Sequence, residues 1–464
     1  MNKIIVVFLL SISNLINAQS ILGDWNGALE VQGTQLRLVF HIIKDDGRLK
    51  ATMDSPDQGA NGISVEKVVM EGKELTIEMS NIGMKYTATL NDEKTIIEGT
   101  FKQGSMSLPL KMTREKIEKK ELARPQEPKI FDYSREEVKF VNLKGGHELA
   151  GTLTTPVGGK FEQIVVLITG SGPQDRNEEL MGHKPFLVLS DHFTKKGIGV
   201  LRYDDRGVAK STGNFKGATS RDFADDVNAA ISFLRNRKEM TGKKIGLCGH
   251  SEGGMIAPIV ASENDVVDFI VLLAGPGIKI PELMMLQTDK ISKAEGVDVN
   301  LRKTNAKITK QVFNFMYDNS KMSTNGLRKG LTNILSEGFN MLSAQEREGK
   351  NREEFIEGQL GMMLDEWFLY FIQFDPVYYL SKVKCPVLAI NGELDLQVTS
   401  KENLEGIKNS LIKAGNSNLT IKEFKGLNHL FQKAESGAPS EYGKIEETFN
   451  EEAMKFVSDW ILGM

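Results

Sequence analysis

Residues 244–261 read KIGLCGHSEGGMIAPIVA, and they carry the clearest structural signal in the chain. A mostly apolar run up to Cys248 is followed by Gly249-His-Ser-Glu-Gly253, and a second apolar run starts at Gly254. This order predicts a strand, a sharp turn and a helix, with Ser251 at the turn. Glycines on both sides let backbone segments approach where a Cβ would clash. The N-terminus of the helix would then offer free N–H groups to negative charge forming beside the serine.

Further apolar runs end in glycine or polar residues in the same way, and they cover residues 164–168, 199–203, 269–274 and 386–390. Runs that are apolar throughout predict strands covered on both faces. Helical patterns lie between several of them, as over residues 223–235. The sequence therefore predicts an α/β fold with a doubly wound, mostly parallel sheet. In such sheets the functional residues gather at the carboxyl ends of the strands.

The segment between the predicted strands at Ala274 and Val387 is far longer than an ordinary crossover connection. Its pattern is helical over about residues 280–372, and it is rich in Met, which adapts to irregular apolar surfaces. We interpret it as a helical cap inserted over the end of the sheet. A helical subdomain with an ordinary core is the alternative.

Residues 20–113 have a different texture, with short alternating strands such as 75–79 and 86–90 separated by polar turns. This pattern predicts a small antiparallel β domain, either a barrel or a sandwich. Residues 114–130 hold 10 charged residues in 17 and two prolines, which is typical of a linker. The catalytic region is then expected over residues 131–464.

Residues 1–18 predict an export signal, because Lys3 is followed by an apolar run over residues 4–10 and by small residues up to Ala18. We therefore expect an exported protein, periplasmic or extracellular, after cleavage near Ala18. No later stretch reaches the ~18 apolar residues that span a bilayer, so no membrane span is expected. A net charge of -4 disfavours a nucleic-acid partner, and two Cys exclude a disulfide scaffold. The oligomeric state is left open.

A serine nucleophile needs a base, and the base needs a carboxylate that orients it. The chain has six histidines, His41, His147, His183, His192, His250 and His429. His429 follows the last predicted strand, over residues 419–424, and is the predicted base. Asp395 follows the strand at 386–390 and is the predicted acid, with Glu393 as its rival. The order Ser251, Asp395, His429 is the order expected for this kind of sheet.

An oxyanion beside Ser251 requires two converging N–H donors. One is predicted to be the backbone N–H of Glu252, directly after the nucleophile. The other is predicted to be the backbone N–H of Ser171, in the turn Gly170–Pro173. A plain turn without a role in catalysis is the alternative for that segment.

Three further residues are candidates for substrate binding. Arg176 and Arg206 fall near the predicted site and could pair with a substrate carboxylate, with loop bracing by salt bridges as the alternative. His183 could line the pocket, with a position in a surface loop as the alternative. No metal site is predicted, because Asp204 and Asp205 lack a clustered set of metal-binding partners.

The catalytic region resembles the α/β-hydrolase superfamily, in particular exported bacterial esterases related to the dienelactone-hydrolase and prolyl-oligopeptidase-like branch. The segments that carry the resemblance are TGSGPQDR at 169–176, RYDDRG at 202–207 with Ser211, GHSEGG at 249–254, GELD at 392–395 and NH at 428–429. Thr169 stands where many relatives have His, and Ala209 where Gly is frequent. The β-rich segment resembles small domains fused to secreted hydrolases and implies no residue roles.

The motifs and the resemblance together predict a secreted serine hydrolase that cleaves small carboxylic esters through a Ser-His-Asp triad and an acyl-enzyme, without a cofactor. A peptidase, aminopeptidase or amidase of the same fold is one alternative, with Glu282, Asp289, Asp365 or Glu366 as possible anchors for a substrate amine. An acyltransferase is a second alternative, and a catalytically inactive binding module is a third. The acyl and alcohol preferences are not predicted.

Overall fold

The computed structural model describes residues 21–31, 34–58, 60–103, 106–118, 122–347 and 351–464. The predicted signal peptide, residues 1–18, lies outside these ranges. The chain divides into two compact units, Met1–Leu122 and Ala123–Met464. This division falls inside the segment 114–130 that was predicted as a linker.

The part of that segment after Leu122 belongs to the second unit, and the side chain of Arg124 attaches it to other loops of that unit. The Arg124 guanidinium donates hydrogen bonds to four backbone carbonyl oxygens, those of Met181, Gly182, Gly443 and Ile445, at 2.6–3.2 Å. A guanidinium carries five N–H donors in a fixed planar arrangement, so a single side chain can satisfy several carbonyl groups. The high charge of the segment thus does not keep all of it in solvent.

The first unit is an all-β domain. Its strands are β1 (Gly23–Val31), β2 (Thr34–Asp45), β3 (Arg48–Ser55), β4 (Ala60–Ser64), β5 (Lys67–Glu71), β6 (Glu74–Met79), β7 (Met84–Leu90), β8 (Ile96–Gln103) and β9 (Met106–Thr113). They form one antiparallel sheet in the order β4-β3-β2-β1-β9-β8-β7-β6-β5. The rings of Phe40 on β2 and Tyr86 on β7 stack at 6.1 Å. Strands four places apart in a flat sheet would be about 19 Å apart, so the sheet curls around its core.

The second unit contains an eight-stranded mixed sheet. Its strands are β10 (Ser134–Asn142), β11 (His147–Thr155), β12 (Gln163–Ile168), β13 (Gly199–Tyr203), β14 (Lys244–His250), β15 (Phe269–Leu273), β16 (Val387–Gly392) and β17 (Leu419–Phe424). The order is β10-β11-β13-β12-β14-β15-β16-β17. The pairings β10–β11 and β11–β13 are antiparallel, and the others are parallel. The apolar runs of the sequence are therefore the parallel, fully buried strands of this sheet.

Helices cover both faces of this sheet. They are α1 (Pro185–Lys195), α2 (Ser220–Arg235), α3 (Gly253–Glu263), α4 (Ile280–Ala294), α5 (Val299–Asp318), α6 (Thr324–Met341), α7 (Ala344–Arg347), α8 (Arg352–Met363), α9 (Glu366–Gln373), α10 (Pro376–Leu380), α11 (Ser400–Lys413) and α12 (Glu451–Leu462). One core includes the buried faces of α2, α3 and α11, and a second core includes those of α1 and α12. The doubly wound prediction is thus realised in the sheet.

The connection between β15 and β16 consists of helices α4 to α10. The helical part begins at Ile280, as predicted, and continues past the expected end at 372, because α10 adds a turn up to Leu380. Apolar residues of these helices, including Met316, Leu331 and Leu360, are buried in the first of the two cores. The insert therefore packs as part of the second unit.

Both cysteines carry free thiols, with Cys248 buried on β14 and Cys385 partly buried before β16. Within the ranges that the structure describes, no helix has both the length and the apolar character needed to cross a bilayer.

Candidate active site

Ser251 lies on a tight turn between β14 and α3. Its φ angle is +53°, in the left-handed region that L-residues rarely adopt. A Cβ on Gly249 would come within 2.0 Å of the carbonyl oxygen of Gly253, and a Cβ on Gly253 would come within 2.1 Å of that of Ile168. Both glycines of the motif are therefore required by close backbone contacts. The turn projects the serine side chain at the carboxyl end of β14, as the sequence predicts.

The imidazole of His429 lies between Ser251 and Asp395. Its Nε2 atom is 3.1 Å from Ser251 Oγ, and its Nδ1 atom is 2.8 Å from Asp395 Oδ2. Asp395 is buried, and its Oδ1 atom accepts the backbone N–H groups of Gln397 and Val398, both at 2.8 Å. A carboxylate held in this way keeps the proton of the imidazole on Nδ1. The bare Nε2 atom can then accept the serine hydroxyl proton.

Glu393, the rival acid, lies outside this arrangement. Its side chain is exposed, and its carboxylate accepts the backbone N–H of Gly426 at 3.0 Å. Asp395 is thus the carboxylate that reaches the imidazole. Asp395 follows β16 in a turn that is closed by a hydrogen bond from its own backbone N–H to the Gly392 carbonyl oxygen at 3.1 Å.

The turn after β12 approaches Ser251 closely, because a Cβ placed on Gly170 would lie 3.3 Å from Ser251 Cβ. The Gly170 N–H is occupied, since it donates to Glu178 Oε1 at 2.7 Å. Ser171 and Glu252 both line the cavity in front of Ser251. Among the described residues, neither of their backbone N–H groups has an intramolecular acceptor. Both predicted donors are therefore in the wall of the cavity in front of Ser251, without a backbone acceptor in the described part of the chain.

Thr169 braces the same turn. Its hydroxyl donates to Asp205 Oδ1 at 2.9 Å, and the backbone N–H of Gln174 donates to Oδ2 at 3.0 Å. Burial raises the pKa of Asp205 to about 8, although both hydrogen bonds oppose the shift. A buried carboxyl group thus clamps both ends of the turn that carries Ser171.

The cavity in front of Ser251 has a volume of about 330 Å³. The sheet side supplies the serine and imidazole, and helices α4 and α9 of the insert supply a largely apolar wall. The residues of that wall are Leu283, Met284, Gln287, Trp367, Phe368 and Phe371. The cavity thus has the serine and the imidazole on one side and a largely apolar wall on the other, a combination found in sites for small organic molecules.

The side chain of Glu252 is a feature of this cavity that the sequence did not reveal. Its Oε1 atom accepts the Ser220 hydroxyl at 2.6 Å and the indole N–H of Trp367 at 2.9 Å. Among the described residues, Oε2 has no hydrogen-bond partner. Burial raises the pKa of this carboxyl group, with the hydrogen bonds acting in the opposite direction. The residue after Ser251 therefore joins the turn to the helical insert.

The three residues proposed from the sequence for substrate binding do not line the cavity. Arg176 donates to both carboxylate oxygens of Asp204, at 2.9 and 2.7 Å, and Arg206 donates to Asp226 at 2.6 Å. All four side chains are buried. The two arginines therefore brace loops through salt bridges, which is the alternative to substrate binding that the sequence left open. A substrate carboxylate would have to displace buried ion pairs, which is costly.

His183 is neither a pocket residue nor a surface-loop residue. Its side chain is fully buried, with Nδ1 at 3.0 Å from the Thr448 hydroxyl and Nε2 at 3.0 Å from the carbonyl oxygen of Tyr442. Burial lowers the pKa of His183 to about 4, and the nearby Arg124 acts in the same direction. His183 is therefore a neutral residue of the interior, and its two ring nitrogens link its own loop to the segment that contains Tyr442 and Thr448.

His250 and Glu178 form a second polar pair beside the serine, and the sequence assigned a role to neither. The Nδ1 atom of His250 is 3.0 Å from Glu178 Oε1, and its Nε2 atom is 3.0 Å from the backbone carbonyl oxygen of His429. The rings of His250 and His429 lie 4.9 Å apart. In the part of the chain that the structure describes, no group of three or more His, Cys, Asp or Glu residues is arranged to bind a metal ion.

This chain is similar to several known proteins. Residues 185–331, which include Ser251, match the family described as serine aminopeptidase, S33. The chain is 26% identical over 318 residues to the esterase EstD of Thermotoga maritima, a match that covers 68% of this chain and 66%, just under two-thirds, of EstD. It is 27% identical over 225 residues to a bifunctional esterase/perhydrolase of Acinetobacter calcoaceticus, covering 47% of this chain and 73% of that protein. A solved esterase of Pyrococcus furiosus aligns with 74% of this chain and 98% of its own, at 15% identity and a TM-score of 0.42.

The sheet, the serine turn and these sequence matches define the class of protein, because together they show the architecture of the α/β-hydrolase superfamily. In sequence the chain is similar to two bacterial proteins that are named as esterases. The resemblance seen in the isolated motifs is thereby confirmed.

Proposed function

We propose that this protein is a serine hydrolase of small carboxylic esters that acts through a Ser251–His429–Asp395 triad. The observation that carries the proposal is the continuous path of hydrogen bonds from Asp395 through His429 to Ser251 Oγ, at 2.8 and 3.1 Å. The names of the matched relatives, which are esterases, support an ester substrate over other acyl compounds.

In the proposed reaction, Ser251 Oγ attacks the ester carbonyl carbon while His429 Nε2 takes the hydroxyl proton. The tetrahedral oxyanion accepts hydrogen bonds from the backbone N–H groups of Ser171 and Glu252. His429 then gives its proton to the leaving alcohol, and an acyl-serine forms. Water, deprotonated by the same imidazole, releases the acid and restores the serine. Asp395 stabilises the imidazolium in both halves of the cycle, and no cofactor takes part.

We further propose that helices α4 to α10 act as a cap over this site. The support is the apolar wall that α4 and α9 contribute to the cavity, together with the hydrogen bond from Trp367 to Glu252. A cap of this kind excludes water from the acyl group and strengthens the electrostatic interactions of the site.

Replacing Trp367 by Phe tests the cap, because the change keeps an aromatic ring and removes only the indole N–H. The buried Glu252 carboxyl group loses a donor, which costs about 1–3 kcal/mol, so we expect KM for a nitrophenyl ester to rise roughly tenfold, with a smaller change in kcat. Steady-state kinetics measure this effect. Trp460→Phe is the matched control, since its indole N–H donates to Thr420 on β17 at 3.1 Å. Equal KM values for the Trp367 variant and the wild type would contradict the proposed cap.

A peptidase is the second candidate, because the matched family is described as a serine aminopeptidase. The acids considered as anchors for a substrate amine, Glu282, Asp289, Asp365 and Glu366, do not line the cavity. Asp289 pairs with Arg302, and Asp365 caps α9. None of these four acids is therefore placed to anchor a substrate amine in the cavity.

A panel of nitrophenyl acyl esters and aminoacyl nitroanilides tests the proposed function on the purified chain. We expect kcat/KM to be higher for the esters, and we expect a fluorophosphonate to label Ser251. Anilide cleavage that equals or exceeds ester cleavage would replace the esterase by a peptidase. Unlabelled Ser251 together with the absence of turnover would reject both.

Export to the periplasm or the extracellular space remains a proposal that rests on the pattern of residues 1–18. Fractionation of cells that express the full chain, followed by N-terminal sequencing, tests it. We expect a chain that starts near Gln19, outside the cytoplasm.

A further inference from the structure

The contacts of His250 and Glu178 indicate how many protons the His250 ring carries. The His250 ring is buried, and each of its nitrogens faces an oxygen at 3.0 Å. One oxygen belongs to the Glu178 carboxyl group, and the other is the backbone carbonyl of His429. A carbonyl oxygen only accepts hydrogen bonds, and an ionised carboxylate does the same. A neutral imidazole has a single N–H group, so it would leave one of these buried contacts without a proton.

We infer that His250 is an imidazolium paired with the Glu178 carboxylate, and that this ion pair positions both the His429 loop and the Gly170 turn for the proposed ester hydrolysis. His250 is thus a positioning residue, because it acts on the reacting groups through the backbone of His429. The inference rests on the proposed function for its kinetic part and on the hydrogen-bond geometry for its protonation state.

The surroundings of His250 support the charged form. Burial by itself would lower the pKa of His250, but the Glu178 carboxylate and the carbonyl of His429 raise it above its ordinary value. Asp395 acts in the same direction from across the site. The other titratable groups nearby are the His429 ring and the Cys248 thiol, and burial raises the pKa of that thiol, which keeps it neutral.

The pair connects three parts of the site that are far apart in sequence. His250 directly precedes Ser251 and holds the carbonyl of His429 through Nε2. Glu178 Oε1 also accepts the Gly170 N–H at 2.7 Å, directly before Ser171, the predicted oxyanion donor. The nucleophile, the base and one oxyanion donor are therefore fixed relative to one another by a single pair of charges. Glu178 itself has a φ of +54°, a costly conformation that these contacts maintain.

The first test compares His250→Gln with the wild type by steady-state kinetics over a range of pH. A misplacement of reacting groups by about 1 Å can cost about 10²-fold in rate, and we expect a loss of about 10–100-fold in kcat with KM changed less. We also expect the acid limb of the kcat/KM profile to move to higher pH. The reason is that the Glu178 carboxylate, left without its partner, favours the protonated form of His429.

His192→Gln is the matched control, because His192 is a partly buried histidine of the same unit whose Nε2 lies 3.1 Å from the Ser458 hydroxyl. It should leave both kcat and the pH profile unchanged. A packing role for His250 would lower kcat without moving the acid limb. A His250→Gln variant with the wild-type kcat and profile would overturn the inference.

The second test reads the protonation state directly and does not depend on turnover. In protein labelled with ¹⁵N-histidine, we expect the His250 ring to carry protons on both nitrogens at pH 7–8. The signal should be absent in His250→Gln, and in Glu178→Gln the same ring should hold a single proton. His41, between Asp24 and Asp54 in the first unit, is a second candidate for such a signal, so the variants are needed for assignment.

The two tests separate the two proposals. A singly protonated His250 in the wild type overturns this inference and leaves the proposed esterase intact. A doubly protonated His250 in a protein without ester turnover rejects the proposed function and keeps the ion pair. If His250→Gln fails to fold, the Glu178→Gln spectrum still identifies the ring.

Discussion

Ser251→Ala is expected to lower kcat for ester hydrolysis by about 10³–10⁶-fold, the scale found when a nucleophile of this kind is removed. The variant lacks the oxygen that attacks the carbonyl carbon, so no acyl-serine can form. The residual rate would come from binding and from the oxyanion donors alone. Initial rates with a nitrophenyl ester, measured after subtraction of the rate without enzyme, give the size of the loss.

The fold should survive this substitution. Serine and alanine share the Cβ atom that makes the φ of +53° costly, so the strain at the turn is the same in both. The lost hydroxyl contacts His429, which keeps its bond to Asp395. Thermal unfolding followed by circular dichroism checks that the two proteins are equally folded. A folded variant that retains a tenth of the wild-type activity would show that Ser251 is not the nucleophile.

Asp395→Asn is expected to lower kcat by about 10⁴-fold, as found for the equivalent change in a well-studied serine protease. The amide group of Asn can donate a hydrogen bond to Nδ1 of His429. The imidazole proton then moves to Nε2, which can no longer accept the hydroxyl proton of Ser251. The backbone N–H groups of Gln397 and Val398 still find an oxygen acceptor, so the local structure should be preserved.

Glu393→Gln is the matched control for this prediction. It makes the same change from acid to amide two residues earlier, at an exposed side chain that contacts the Gly426 N–H. We expect an activity close to that of the wild type. A loss of less than about tenfold in Asp395→Asn, or a larger loss in Glu393→Gln, would reverse the assignment of the acid.

The sheet and the three proposed triad residues could be predicted because their signals are local. An apolar run that ends in Gly-x-Ser-x-Gly describes a strand, a turn and a helix within a few consecutive residues, and the structure has β14, Ser251 and α3 in that order. Asp395 and His429 each follow a strand directly. Since parallel strands place their carboxyl ends at one edge of a sheet, the three side chains were expected to meet there.

Predictions that depended on an isolated side chain were less successful. Arg176 and Arg206 were considered for substrate binding, and they are engaged with buried Asp204 and Asp226. His183 was placed in the pocket or on the surface, and it is fully buried. A charged or polar residue in a loop has the same appearance in a sequence whether it faces a ligand, solvent or a distant carboxylate.

The strand segments along the chain, the turn at Ser251 and the places of Asp395 and His429 after strands follow from consecutive residues, because backbone geometry is set by near neighbours in the chain. The contacts that organise the site come from further away. Glu178 reaches His250 across 72 positions, and Trp367 reaches Glu252 across 115. Such hydrogen bonds exist only once the strands, the turns and the helical insert have packed, and their energies depend on burial that no local pattern specifies.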